Sequence, residues 1–194
     1  MRVVVMNHVT LDGVMQGPGR VDEDTRDGFV RGGWATSRSD DLVRQAMGER
    51  IAAGGGLAGW LFGRRTYDEL LGHWNSVPDS PFAEALNNAQ KYVASTTLRE
   101  PLAWPNSALL GAAAVKAVAG MRDEPGGVLG IMGSGVLIQA LRRGRLIDEY
   151  LLMIHPIVLG SGRRLFPDGP PAELTLVDTK TSSSGVILAT YEAA

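Results

Sequence analysis

Cysteine is absent from the 194 residues of this chain. Its absence excludes disulfide bonds, thiolate nucleophiles and metal sites with cysteine ligands. Histidine is nearly as scarce, since the chain has only His8, His73 and His155. These three lie too far apart in sequence for the His-x-x-x-His spacing of many zinc enzymes. We therefore expect no metal site.

Strong charge of one sign and long apolar runs are also missing. The formal net charge is −2, so neither nucleic acid nor an anionic membrane surface is expected as a partner. No apolar segment has the length of a membrane span, and the chain opens on a strand-like run instead of a signal peptide. These features predict a cytoplasmic protein.

What is present is an alternation of strand-like and helix-like stretches without a linker or repeat, which predicts one α/β domain over residues 1–194. The predicted strands cover residues 3–6, 57–62, 91–95, 108–110, 128–132, 147–159, 174–179 and 186–191. Helices are predicted at 39–53, within 78–89, at 112–121, and after the glycines at 63 and 133–135. The last two strands, joined through residues 182–185, predict an antiparallel hairpin.

The helix at 39–53 carries its own start signal. Ser39 is the predicted cap, Asp40 and Asp41 occupy the first turn, and the apolar face is formed by Leu42, Ala46 and Ile51. The two aspartates are accounted for by the helix dipole alone. An active-site role for Asp41 is compatible with the pattern but is not required by it.

A glycine-rich turn links the strand at 128–132 to a helix. Gly133, Ser134 and Gly135 form the turn, and Val136 and Leu137 begin the helical spacing. A helix N-terminus after small residues can hold a phosphate, because its first N–H groups have no partner within the helix. A tight connection without a ligand has the same pattern. The full Gly-x-Gly-x-x-Gly motif is absent, because Ile138 occupies the third position.

A second strand, glycine and helix-start unit follows residues 57–62. Gly63 precedes Arg64, Arg65 and Thr66, so two cations lie at the positive end of the helix dipole. A bound anion would resolve this conflict through charge-assisted hydrogen bonds. The alternative is that both arginines simply point into solvent.

Polar groups also follow two other strands. Ser95, Thr96 and Thr97 end the strand at 91–95, and ligands of open α/β sheets collect at such carboxyl ends. Asp12 is the only acidic residue of a long loop, residues 7–19, that follows the first strand. A binding group is common at such a place. A turn aspartate that bonds its own backbone ahead of Gly13 is the other interpretation.

Several ordered motifs resemble one known family. The motifs are GRRTYDELLGHW at 63–74, KYVASTTL at 91–98, GSGVLIQAL at 133–141 and IDEYLLMIHPIVLGSGRRLF at 147–166, extended by VTLDGVMQGPG at 9–19 and GGWATSRSDD at 32–41. They resemble the dihydrofolate-reductase-like family, and within it the C-terminal reductase domain of the bifunctional riboflavin-biosynthesis deaminase/reductase. The resemblance implies a three-layer αβα sandwich with a mixed, mostly parallel sheet of about eight strands.

The resemblance also implies NADPH as cofactor. Arg64 and the start of its helix would contact both the 2′-phosphate and the pyrophosphate. Ser95 and Thr96 would bond the 2′-phosphate, and the turn at 133–135 would hold the pyrophosphate. The full implied set of cofactor contacts is Gly63, Arg64, Arg65, Thr66, Ser95, Thr96, Thr97, Gly133, Ser134, Gly135, Val136 and Leu137. Dihydrofolate reductases have glycine where this chain has Ser134, and a cis peptide at this point. Whether the peptide before Ser134 is cis stays open, and the region of residue 112 lacks an aspartate found in relatives.

On the substrate side the resemblance assigns Asp12 and Asp41 as catalytic candidates. A partly desolvated Asp12 would have a raised pKa and could help to deliver the proton that accompanies hydride. Trp34 and Met153 are the candidate substrate contacts, although a buried tryptophan is more often part of the core.

These features predict an NADPH-dependent reductase of a small pteridine- or pyrimidine-like heterocycle or of a carbonyl substrate. The deaminase half and its zinc motif are missing, which makes riboflavin synthesis itself doubtful. The alternatives are a nucleotide- or flavin-binding homodimer without turnover, and a structural or regulatory homodimer. We expect a homodimer in each case, with surplus apolar surface from Ile147, Leu151, Ile154, Ile157 and Leu159.

Overall fold

Helices and strands alternate along the chain in this computed structural model, which describes residues 1–167, 169 and 171–194. The strands are β1 (Arg2–Thr10), β2 (Leu57–Gly63), β3 (Lys91–Ala94), β4 (Ser107–Leu109), β5 (Val128–Ile131), β6 (Glu149–His155), β7 (Leu174–Thr181) and β8 (Ile187–Ala193). The helices are α1 (Asp41–Ala53), α2 (Arg64–Ser76), α3 (Pro81–Asn88), α4 (Ala114–Asp123) and α5 (Gly135–Arg143). None of these helices is both long and apolar enough to cross a bilayer.

The strands form a mixed sheet in the order β4-β3-β2-β5-β1-β6-β8-β7. Strand β2 pairs in parallel with β3 and β5, and β3 pairs in parallel with β4. Strand β8 is antiparallel to both β6 and β7. The mostly parallel eight-stranded sheet and the antiparallel C-terminal hairpin are therefore confirmed.

The chain divides into two compact units. The first unit consists of Met1–Val4 and Ile51–Ile147, and the second consists of Val5–Arg50 and Asp148–Ala194. The single domain expected over residues 1–194 stays a prediction.

In the first unit the parallel strands are buried among helices. Leu61, Phe62 and Ile131 are fully buried, as expected for strands covered on both faces. Helix α2 buries Tyr67 and Leu71, as the sequence predicts. The continuous apolar runs of these strands are thus explained by their position inside the sheet.

A buried cation closes the end of α3. The Lys91 ammonium donates to the carbonyls of Leu86 at 2.6 Å, Asn87 at 3.2 Å and Ala89 at 2.7 Å, and burial lowers the pKa of Lys91 to about 8. Carbonyls at the end of a helix lack intrahelical donors, and a cation suits the negative end of the dipole. Lys91 therefore stabilises α3 at its C-terminus.

The second unit is held by polar contacts between its two chain segments. Glu149 is fully buried and forms a two-bond ion pair with Arg50. The Asp40 carboxylate accepts from the Val43 N–H and from the Ser183 hydroxyl, so it caps α1 and ties that helix to the β7–β8 turn. Both contacts join residues near position 45 to residues beyond position 148.

Several predicted boundaries need correction. Strand β1 continues to Thr10, so the first part of the predicted loop at 7–19 is strand. Helix α1 begins at Asp41 with Asp40 as its cap, not Ser39, because the Asp40 side chain bonds the N–H three residues on. Its buried residues are Val43 and Ala46. The other helices and strands differ from prediction by one to three residues at their ends, except for β6.

Strand β6 corrects the expected source of dimer contacts. It covers Glu149–His155 instead of residues 147–159, because Pro156 has no N–H to continue the ladder. Ile147, Leu151 and Leu159 are at most 9% exposed, so they belong to the core of their own units. They cannot supply the surplus apolar surface that the sequence suggested.

Candidate functional site

The first unit gathers the three predicted phosphate-binding segments at one edge of its sheet. Gly63 at the end of β2 lies opposite Ala94 at the end of β3, and Leu61 of β2 lies opposite Ile131 at the end of β5. Because these three strands are parallel neighbours, residues 64–66, 95–97 and 132–135 all leave the sheet at its carboxyl edge. This is the edge at which ligands of α/β proteins bind.

Two helices begin at this edge. Helix α2 starts at Arg64 directly after β2, and α5 starts at Gly135 after a short turn from β5. The N–H groups of residues 64–66 and 135–137 belong to first helical turns and have no acceptor inside their helices. They add to the positive ends of both helix dipoles, an arrangement suited to phosphate.

Two hydroxyls join these helix starts. The Ser134 N–H donates to Thr66 Oγ1 at 2.9 Å, and the Gly63 N–H donates to Ser134 Oγ at 3.0 Å. Ser134 Oγ in turn donates to the Met132 carbonyl at 3.0 Å. We call this pair of cross-bonds the Thr66–Ser134 brace. The hydroxyls of Thr66 and Ser134, both predicted to contact the cofactor, therefore hold the backbone of the two turns together.

The backbone of the turn is left-handed at two successive residues. Gly133 has φ 57° and Ser134 has φ 54°. A Cβ at position 133 would lie 2.8 Å from Thr66 Oγ1, so only glycine fits there. Glu100–Pro101 is the one cis peptide bond among the described residues, and the peptide between Gly133 and Ser134 is therefore trans.

Arg64 and Arg65 are both exposed at the start of α2. Within the part of the chain that the structure describes, neither side chain has a hydrogen bond or an ion pair. Burial raises the pKa of Asp68, one turn along, while the charge of Arg64 opposes that rise. The two guanidinium groups are thus available to an anion at the positive end of the helix.

The hydroxyls after β3 differ in availability. Ser95 Oγ accepts from the N–H groups of Thr97 at 3.2 Å and Leu98 at 3.1 Å, and it lies 3.3 Å from Thr97 Oγ1. Ser95 therefore closes the turn after the strand. The exposed Thr96 has no such partner in the described part of the chain, so it is the better placed of the three for a ligand.

In the second unit, Asp12 links two loops. Its carboxylate accepts from Thr10 Oγ1 at 2.6 Å, from the Leu159 N–H at 3.1 Å and from the Gly160 N–H at 2.8 Å. The Thr10 hydroxyl and these two backbone N–H groups lower the pKa of Asp12 to about 2. The expected rise of this pKa is wrong, because hydrogen bonds to the ionised form outweigh desolvation. Asp12 is a carboxylate at neutral pH and cannot supply a proton.

The other substrate-side candidates have local roles. Asp41 is exposed in the first turn of α1 and forms an ion pair with Arg44. Trp34 belongs to a buried cluster with Val14 and Phe29, and its Nε1 donates to the Gln16 carbonyl at 2.8 Å. Met153 has no exposed surface, so it cannot contact a ligand in this conformation. For Trp34 the core interpretation is the one that fits.

A histidine pair escaped sequence analysis. His8 Nδ1 lies 2.9 Å from His155 Nε2, and the edge contact between the rings of Trp34 and His155 has a centroid distance of 5.2 Å. Burial, and then the neighbouring ring, lower the pKa of His8 to about 3, and burial followed by Arg38 lowers that of His155 to about 4. Both rings are neutral at physiological pH. In the sequence, each histidine lies near the end of a strand, which is the only signal that could have indicated a site. Their pairing was not evident, because the two residues are 147 positions apart.

A cleft of about 280 Å³ also lies in the second unit, lined by residues 16, 26–29 and 161–163. Its arginines are already neutralised, since Arg26 pairs with Asp24 and Arg163 pairs with Asp27. Among the described residues that line the cleft, both arginines are thus paired and neither offers a free positive charge to an anionic ligand.

Comparison with known proteins assigns the chain to a family. The sequence model of the RibD C-terminal domain matches residues 2–188. The chain belongs to the RibD C-terminal domain family. The uncharacterised protein YyaP of Bacillus subtilis (strain 168) is 33% identical over 138 residues, which are 68% of this chain and 71% of YyaP.

Solved structures share the fold of this family member at low identity. A protein from Shewanella sp. PV-4 that is assigned to riboflavin biosynthesis has a TM-score of 0.69 at 22% identity, and the match covers 100% of this chain and 99% of that one. A pyrimidine reductase-like protein from Corynebacterium diphtheriae has a TM-score of 0.61 at 11% identity, covering 100% and 92%. Dihydrofolate reductase from Enterococcus faecalis, complexed with NADP(H) and the ligand RAB-propyl, has a TM-score of 0.60 at 13% identity, covering 99% and 96%. The predicted dihydrofolate-reductase-like fold is confirmed.

Proposed function

We propose that this protein is an NADPH-dependent reductase of a small heterocyclic substrate, pteridine- or pyrimidine-like, or of a carbonyl substrate. One observation carries the proposal: two helix N-termini meet at the carboxyl edge of three parallel strands, together with two arginines that form no ion pair with any described residue. Membership of the RibD C-terminal domain family supports it. So does the fold shared with a reductase whose structure contains NADP(H).

The chemistry of these groups fits the charged parts of NADPH. Free N–H groups at the starts of α2 and α5 suit the pyrophosphate, which needs several donors. Arg64, Arg65 and Thr96 suit the 2′-phosphate, because guanidinium and hydroxyl groups form charge-assisted bonds with a phosphate ester. When bound, NADPH supplies the hydride, and the chain supplies binding and orientation.

The substrate side requires a proton source other than Asp12. Its three hydrogen bonds keep the carboxylate ionised, so its role is to hold the loop after β1 against residues 159–160. Asp41 is exposed and paired with Arg44. We assign the proton that accompanies hydride to solvent water.

Calorimetric titration with NADPH and NADH tests the cofactor assignment. We expect NADPH to bind more tightly by about 1.5–3 kcal/mol, the value of hydrogen bonds to a charged group. Arg64→Ala should narrow the difference. Arg143→Ala should not, because Arg143 is exposed in the last turn of α5, at the opposite end of that helix. Equal dissociation constants for the two cofactors would contradict the assignment.

Turnover is tested by following the absorbance of reduced nicotinamide across a panel of pterins, pyrimidines, flavins and simple carbonyl compounds. A reductase oxidises NADPH with at least one of them. Stoichiometric NADPH binding without oxidation by any compound would instead favour a nucleotide-binding module without turnover.

A further inference from the structure

The Thr66–Ser134 brace has a function beyond local capping. We propose that Thr66 and Ser134 are positioning residues, which hold the N-termini of α2 and α5 as one rigid cradle for a diphosphate group. This inference rests on the proposed function, since the diphosphate in question is that of NADPH.

The brace lies where the sheet no longer connects the two helix starts. The ladder between β2 and β5 ends with the pair Leu61 and Ile131. Beyond that pair, the bonds from the Ser134 N–H to Thr66 Oγ1 and from the Gly63 N–H to Ser134 Oγ continue the connection. Two side-chain hydroxyls therefore help to fix the relative position of the two helix starts.

The brace also selects which N–H groups remain for a ligand. The N–H groups of the two residues that precede the helices, Gly63 and Ser134, are consumed by the hydroxyls. The N–H groups of residues 64–66 and 135–137 lie in the first turns of α2 and α5, where no acceptor within the helix reaches them. A diphosphate has two phosphoryl groups, so it can engage both sets at once.

Serine at position 134 is otherwise difficult to explain. Its φ of 54° lies in the left-handed region, where glycine is at ease and other residues are strained. A turn that only connected β5 to α5 would be more relaxed with glycine. The strain is explained if the hydroxyl is required, because glycine would leave the Gly63 N–H without its partner.

A rigid cradle strengthens binding because less ordering is left for the moment of association. Loss of the brace should weaken ligands that bridge both helix starts. It should not weaken adenosine 2′-monophosphate, which has no diphosphate. This difference separates a positioning role from a general loss of structure.

The test is calorimetry with NADPH, inorganic pyrophosphate and adenosine 2′-monophosphate on four variants. Thr66→Val and Ser134→Ala should each raise the dissociation constants for NADPH and pyrophosphate about three- to tenfold, the range expected for one hydrogen bond. Thr66→Ser, which keeps the hydroxyl, should restore binding. Ser134→Gly relieves the strain but removes the hydroxyl, so it should weaken NADPH without lowering the melting temperature.

Tyr67→Phe is the matched control. Tyr67 is the next residue of α2, and its hydroxyl accepts from the Trp104 N–H at 3.0 Å and donates to Ser107 Oγ at 3.1 Å. The variant should lower stability and leave NADPH affinity unchanged. Equal weakening of NADPH by Tyr67→Phe and Thr66→Val, or equal weakening of all three ligands by Thr66→Val, would overturn the positioning role.

Failure of the proposed function gives a different result. If the wild-type protein binds pyrophosphate but not NADPH, and Thr66→Val weakens pyrophosphate, the cradle stands and the cofactor assignment fails. If NADPH binds and the brace variants bind it as tightly as the wild type, the cofactor assignment stands and this inference fails.

Discussion

Replacing Asp12 with asparagine should lower stability and leave turnover per folded molecule unchanged. Oδ1 of the carboxylate accepts from Thr10 and Leu159, and Oδ2 accepts from Gly160. An asparagine oxygen at the Oδ1 position keeps the first two contacts. Its amide nitrogen then faces the Gly160 N–H, so a donor meets a donor and one bond to a charged acceptor is lost.

The size of the effect follows from that lost bond. A hydrogen bond to a charged group contributes about 1.5–3 kcal/mol, and solvent screening at this partly exposed site favours the lower end. We expect a loss of about 1.5 kcal/mol. For a protein of this length that corresponds to a fall in melting temperature of about 3–6 °C.

The effect should also depend on pH. The pKa of Asp12 is about 2 in the folded protein, against 3.8 for an unperturbed carboxyl. A depressed folded-state pKa means that the charge contributes its full stability above pH 3.8 and loses it as the pH falls toward 2. The stability difference between the wild type and Asp12→Asn should therefore narrow over this interval.

Urea unfolding followed by circular dichroism, from neutral pH downward, measures the stability difference, and NADPH oxidation per folded molecule measures turnover. Asp22→Asn is the control, because the Asp22 side chain is 84% exposed and its pairing with Arg20 is superficial. The control should change stability by less than about 0.5 kcal/mol. Loss of turnover in Asp12→Asn with an unchanged unfolding midpoint would refute this reasoning and return Asp12 to a catalytic role.

Three further predictions concern stability and assembly. Glu149→Gln should cost about 3–5 kcal/mol in chemical unfolding, because it leaves the buried end of Arg50 unpaired, whereas Glu49→Gln in the exposed pair with Lys180 should cost less than about 1 kcal/mol. Lys91→Met should lower the unfolding free energy by about 1–3 kcal/mol, since three carbonyls around α3 lose their donor; an unchanged midpoint would contradict this. Light scattering of the wild-type protein should give the mass of a homodimer. The variant Val177→Lys should give the mass of a monomer, because β7 is the last strand in the sheet order and exposes Leu176 and Val177. A monomer mass for the wild type at micromolar concentration would refute the dimer.

The features that sequence predicted well are those set by neighbouring residues. Buried parallel strands are continuous apolar runs, and glycines mark where strands pass into helices. The starts of α2 and α5 could therefore be placed from Gly63 and from residues 133–135. Parallel pairing then brings these segments to one edge of the sheet.

The contacts that sequence could not reveal depend on partners far away in the chain. Asp12 reads as an isolated loop carboxylate until Leu159 and Gly160 are placed beside it. Ser134 bonds to Thr66 and Gly63, which lie 68 and 71 positions away in the chain, so no local pattern shows these contacts. A local sequence pattern also does not show how deeply a residue is buried. For this reason the fully buried Met153 could be predicted as a substrate contact.

The division of the chain into units has a consequence for biosynthesis. The first unit takes most of its residues from one stretch, Ile51–Ile147, whereas the second joins Val5–Arg50 to Asp148–Ala194. His8, Asp12 and Arg50 each have a hydrogen-bond partner beyond residue 148. On the ribosome, residues 5–50 therefore emerge before the last segment and must wait for it before they can be packed. We therefore expect that, in ribosome-bound chains stalled after residue 147 has emerged, residues 51–147 resist protease while residues 5–50 are still cut. During this stage of synthesis the unpacked residues 5–50 would be exposed to chaperones.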